Sequence, residues 1–189
     1  MRVLSLLAAI LLCLVWAGPA SAHSVDINFN NEYVRAGFAT ELAQIGYGTS
    51  QFDTGLLYQE DRKNLGIHAG LRSTGEIANN IQGGLGARLY YINLDSGSDE
   101  VGALGLGGHA RWFIQEPQQG FALMGELHGS PSIFNIIDGE GSYDVNARVE
   151  YFIWPAGAVY LGYHDIRSKV NGDWEKVDTG FHVGINFRL

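Results

Sequence analysis

Thr179-Gly-Phe-His-Val-Gly-Ile-Asn-Phe-Arg-Leu189 alternates without a break. Thr179, Phe181, Val183, Ile185, Phe187 and Leu189 share one parity, and Gly180, His182, Gly184, Asn186 and Arg188 share the other. Side chains of a strand point to opposite faces in turn, so this stretch predicts a strand with one apolar and one polar face. A soluble sandwich alternates too. It seldom leaves a long, flat, apolar edge strand bare, because such an edge templates aggregation. A barrel closed in a bilayer pairs that edge and turns the apolar face to lipid.

The same two-residue period recurs upstream, at residues 25–30, 34–40, 52–59, 64–72, 81–91, 104–114, 121–128, 143–153 and 159–164. Residues 42–51 are Gly-rich and read either as a turn or as an extension of the next strand. Connections are expected at a charged tip (60–63), a polar segment (73–80), an acidic loop (95–100) and a turn containing Pro117 (115–119). Further connections are the longest loop (130–142), a tight turn (154–156) and a polar loop holding Trp174 (168–176). The expected fold is all-β: a transmembrane antiparallel up-and-down barrel of about ten strands of roughly 8–13 residues, with eight strands as the alternative if residues 24–41 do not span. An even strand number puts both termini on the periplasmic side. Trp112, Tyr151 and Trp154 then fall near the periplasmic turns, where an aromatic girdle belongs.

Residues 1–22 read as a signal peptide, leaving 23–189 as the barrel. Arg2 is the positive start, residues 3–17 are apolar, and Ala20-Ser21-Ala22 is a cleavage site before His23. The apolar run is too short for a membrane-spanning helix and Gly18-Pro19 breaks it. Leu12 before Cys13 does not suit a lipoprotein signal, which wants a small residue there. Cleavage removes the single Cys, so disulfides and thiol chemistry are not expected. It also removes one of the 12 Lys+Arg, leaving 11 against 20 Asp+Glu, a net charge of −9. That acidity argues against nucleic acid as a partner. Only 4 Pro accompany 26 Gly, as strands with fully paired amides and close packing require.

The apolar parity carries almost no charge. The other parity collects Arg72, Arg88, Arg111, Arg148, Arg188, Asp53, Glu126, Asp144 and Glu150, with His68, His109, His128, His164 and His182. Barrels of eight to ten strands have interiors about filled by side chains, so these residues predict a packed lumen network of mixed sign. Five inward His invite a metal, but none lies two or four residues from another, and no metal or other cofactor is expected. His128-x-Ser130, with Glu140 nearby, resembles the His-x-Ser pair of barrel lipid A deacylases. Yet His128 lies opposite the lipid-facing Leu123 and Leu127, so no catalytic residue is assigned. Gly84-x-Gly86 and Gly105-x-Gly107-Gly108 sit within strands with no following helix, unlike nucleotide loops. Asp95, Asp99, Glu100, Asp138, Glu140, Asp173 and Glu175 make the outer connections acidic; these read as solvated loops, with divalent-cation binding as the rival.

His182-x-Gly184-x-x-Phe187-x-Leu189 resembles the closing-strand signal read by the outer-membrane barrel assembly machinery, although Phe is commoner than Leu at the last position. Further stretches resemble the YfaZ family of small outer-membrane proteins over nearly the whole mature chain. They are Asp26-Ile-Asn-Phe-Asn-Asn-Glu32, Gly55-Leu-Leu-Tyr-Gln-Glu-Asp61, Gly83-Gly-Leu-Gly-Ala-Arg-Leu-Tyr-Tyr91, Ala103-Leu-Gly-Leu-Gly-Gly-His109, Ala147-Arg-Val-Glu-Tyr151, Tyr160-Leu-Gly-Tyr163 and Thr179-Gly-Phe-His-Val-Gly184. The resemblance implies an outer-membrane barrel and brings no reaction or ligand with it. Three functions therefore compete: a monomeric structural or narrow-channel barrel contacting outer-membrane lipid and lipopolysaccharide, a barrel enzyme acting on lipid A, and a soluble periplasmic binder.

Overall fold

The structure, a computed structural model, describes residues 23–46, 48–60, 64–94, 99–137 and 139–189. The signal peptide, residues 61–63 of the charged tip, Asp95 and Asp138 lie outside the described residues. Ten antiparallel strands form β1 (His23–Phe29), β2 (Tyr33–Ile45), β3 (Gly48–Gln59), β4 (Leu65–Ala78), β5 (Ile81–Leu94), β6 (Asp99–Phe113), β7 (Gly120–Ser130), β8 (Gly139–Trp154), β9 (Gly157–Val170) and β10 (Asp173–Arg188). Each pairs with its sequence neighbours, and β1 pairs with β10 to close the barrel. The seam aligns Ser24 with Arg188 and Phe29 with Val183, so the apolar C-terminal strand has no bare edge. The eight-stranded alternative is thereby corrected: β1 and β2 are paired staves of the wall.

One open segment is settled, and two expected connections are corrected. Residues 42–51 contain the end of β2 and the start of β3, with Gly46 between them in a turn at φ 60°. A bulge between Glu41 and Ala43 shifts the side-chain parity there, which hides the strand from a strict two-residue count. Residues 73–80 are mostly strand: β4 runs to Ala78, and the turn is Asn79-Asn80, with Asn80 at φ 63°. Residues 168–176 are mostly strand as well. β9 and β10 continue to an Asn171-Gly172 turn with φ 54° and 90°, the two-residue hairpin whose positive φ values these residues tolerate. The strands therefore outrun the membrane band and reach 16 residues in β8 and β10. The longest described connection, after β7, contains a single turn of 3-10 helix, Ser132–Phe134.

The outer surface decides the environment. Leu85, Phe181, Leu127, Leu161 and Leu106 stand on the outside, from 49% to 76% exposed. The inward parity of these and neighbouring strands carries Arg88, Glu126, Glu150, His128 and His182, all buried or nearly so. Water would reverse that arrangement, so the outer rows meet hydrocarbon. Closed pairing leaves no unpaired sheet edge in the bilayer. Connections at the end holding both termini are shorter on average than at the other, where the longest follows β7, the asymmetry of periplasmic turns and extracellular loops.

Candidate functional site

The barrel interior is where the chemistry-bearing side chains meet. Its middle holds three linked clusters. In the first, Arg88 Nε donates to Asp53 Oδ2 at 2.8 Å, and Arg88 also donates to Glu126. His68 Nε2 lies 3.4 Å from Asp53, and His128 Nδ1 lies 3.4 Å from Glu126. In the second, Arg148 Nε donates to Glu150 at 2.6 Å and its Nη1 to Asp26 at 2.9 Å, while its guanidinium lies 4.4 Å from the Tyr160 ring centre. Arg111 Nε lies 2.8 Å from the other oxygen of Glu150. In the third, the ring nitrogens of His164 stand 3.1 Å from Asp178 and from Asp144, and Arg35 approaches Asp144 at 3.9 Å. Buried charges need such partners, because an ion left alone in a low-dielectric interior is costly.

Glycines make room for these groups. Arg88 lies across the β4–β5 ladder from Gly70, Arg72 from Gly86, His128 across β6–β7 from Gly107, and His182 across β9–β10 from Gly162. A Cβ at Gly70 would come within 2.6 Å of the Arg88 side chain, and one at Gly86 within 2.8 Å of the Arg72 Cβ. The abundant glycine thus sets the bore on the inside of the wall.

The interior changes character along its axis. At the extracellular end Leu57, Ile92, Val101, Ala103, Ile166, Val170 and Val177 form one buried apolar cluster. None is more than 7% exposed, and Val101 is completely covered. Toward the periplasmic end the lumen opens into a cavity of about 150 Å³ reaching Ser24, Gln51, Thr74 and Arg188. Here Arg72 Nε donates to Gln51 at 3.0 Å, and His109 lies 3.1 Å from the Thr74 hydroxyl.

All fourteen residues expected in the lumen lie on the inner face: Asp53, His68, Arg72, Arg88, His109, Arg111, Glu126, His128, Asp144, Arg148, Glu150, His164, His182 and Arg188. His182 touches rings rather than charges, with Tyr160 at 5.8 Å and His164 at 6.2 Å between centroids. Trp112, Tyr151 and Trp154 are exposed on the outer face near the periplasmic turns, and Tyr151 packs on Phe121 at 4.9 Å. Along β10, His182 and Gly184 face in, while Phe187 and Leu189 lie on the other parity. His128 and Ser130 face the lumen; Ser130 Oγ is 3.3 Å from Asn135 Oδ1, and His128 is engaged with Arg88 and Glu126.

Asp26, Arg35 and Asp178 carry the network too and were not among the residues expected there. Asp26 and Arg35 lie on the polar parity of their strands, so alternation alone could have found them. Asp178 is hidden by the bulge between Lys176 and Asp178. The apolar cluster runs against the alternation rule: Ile166 lies between Asp165 and Arg167, and Val177 between Lys176 and Asp178, so here apolar residues face inward.

The YfaZ family model, described as YfaZ precursor, matches residues 1–189. The chain belongs to the YfaZ family. Its description as a precursor accords with the leader read at residues 1–22, and the protein is a small outer-membrane β-barrel. Among solved structures, it is similar to the KdgM porin in complex with disordered oligogalacturonate, with a TM-score of 0.48, 8% identity, and coverage of 88% of this chain and 98% of that one. The outer membrane channel DcaP of Acinetobacter baumannii matches with a TM-score of 0.44 and 12% identity over 91% of this chain and 60% of that one. No match was found among curated protein sequences.

Proposed function

We propose that this YfaZ-family barrel is a monomeric narrow channel, held shut at its extracellular end and without catalytic activity. The observation that carries this reading is the junction of two unlike halves of one lumen. A polar cavity fills the periplasmic half, and the aliphatic cluster from Leu57 to Val177 closes the other. An apolar constriction too narrow to hold water blocks ions without any covalent plug. The outer rows meet membrane lipid, and in the outer leaflet lipopolysaccharide. His182, Gly184, Phe187 and Leu189 give the assembly machinery its closing-strand signal, and Trp112, Tyr151 and Trp154 anchor the periplasmic boundary.

Planar-bilayer recording tests the reading. Wild-type protein should be almost silent. Val101→Ser with Ile166→Ser wets the cluster and should produce stable openings. Silence of a correctly folded double variant would leave a purely structural role, and steady conductance of the wild type would remove the plug. The absence of catalysis has its own check: Ser130→Ala should leave lipid A unaltered in cells expressing it, relative to wild type.

A further inference from the structure

The periplasmic cavity has an unbalanced lining. Six arginines border it (Arg35, Arg72, Arg88, Arg111, Arg148 and Arg188), against three carboxylates, Asp26, Asp53 and Glu126. Those carboxylates are already engaged, Asp53 and Glu126 by Arg88 and Asp26 by Arg148. Arg111 shares Glu150, which is itself 1% exposed. Arg35 approaches Asp144 at 3.9 Å, so Arg72 and Arg188 remain. Among the described residues, neither has a carboxylate within 4 Å. Arg72 spends its Nε on Gln51, and Arg188 Nη1 sits 2.7 Å from the side-chain amide of Gln118 when that amide presents its oxygen. Glu41 borders the adjoining groove with Arg188 but forms no ion pair with it. Guanidinium groups stay protonated at any working pH and present several donors in a plane that matches an oxyanion.

We propose that this periplasmic vestibule is a binding site for a small oxyanion of phosphate size, held between Arg72 and Arg188 with Arg111 behind them. The cavity volume accommodates one such ion with some of its water. The acyl chains of a lipid are kept out by the closed wall, so the ligand is a free anion from the periplasm. The site needs only the periplasmic opening and stands whether or not the barrel conducts.

The test is titration of inorganic phosphate into folded protein in a phosphate-free maltoside detergent, followed by calorimetry, with heat-modifiable gel mobility confirming the fold. Wild type should bind one phosphate per barrel. Arg72→Gln with Arg188→Gln should weaken binding about tenfold or more, because charge-assisted hydrogen bonds to both groups are lost. Arg188→Gln alone removes an exposed rim side chain and should give a smaller loss in a barrel that still folds. Equal binding by wild type and the folded variants, or no binding by wild type, would overturn the proposal.

Discussion

Arg148 joins three strands through one guanidinium. It donates to Asp26 of β1 and Glu150 of β8, and it covers the ring of Tyr160 on β9. Arg148→Ala removes all three contacts and leaves Glu150, 1% exposed, with Arg111 alone. The expected loss is about 3–5 kcal/mol, the scale for breaking a buried ion pair from one side. It should appear as a lower urea midpoint and a lower temperature of the gel-mobility shift. An unchanged midpoint would mean that water in the lumen solvates Glu150 and Asp26 as well as Arg148 does. Alternation along β8 was enough to place Arg148 and Glu150 on one face. It could not reveal Asp26, 122 residues away, because partners across a barrel depend on strand register and tilt.

A strand's parity survives only between bulges, and this limits what can be read at the level of elements. The middle of every strand was legible because lipid demands an uncharged row and the lumen tolerates the rest. Strand ends project beyond the bilayer, where the outer face is no longer selected for apolarity. There Ser73, Thr74 and Glu76 look like loop although they pair in β4. Glycine placement obeys a cross-strand rule that a linear reading does not expose: Gly107 lies opposite His128, yet they are 21 positions apart in sequence. A Cβ at Gly107 would collide with the Leu127 carbonyl oxygen and would meet the His128 Cα at 2.7 Å. Backbone on a neighbouring strand cannot swing aside as a side chain can. Gly107→Val should therefore open the β6–β7 ladder and abolish the compact, heat-modifiable band. Gly125→Val, where nothing lies within 4 Å of the added Cβ, should keep it.

The whole molecule is polarised along its axis, which gives the net negative charge a meaning the composition alone does not have. Many carboxylates sit on the extracellular connections and strand tips, including Glu32, Glu60, Glu140, Asp173 and Glu175. Arginines without carboxylate partners sit at the periplasmic mouth. Opening the apolar cluster with Val101→Ser and Ile166→Ser joins the two ends through one water-filled path. A narrow path with low-dielectric walls focuses the field of whatever charge lines it, so Arg72 and Arg188 should decide which ion passes. Under a potassium chloride gradient the opened barrel should reverse at a potential of the sign set by chloride. Adding Arg72→Gln and Arg188→Gln should move that potential toward zero. The preference should also fade in concentrated salt, where the screening length falls to about 3 Å at 1 M. A potassium preference at low salt would mean instead that the acidic extracellular mouth governs the path and that the basic vestibule is neutralised by bound anion.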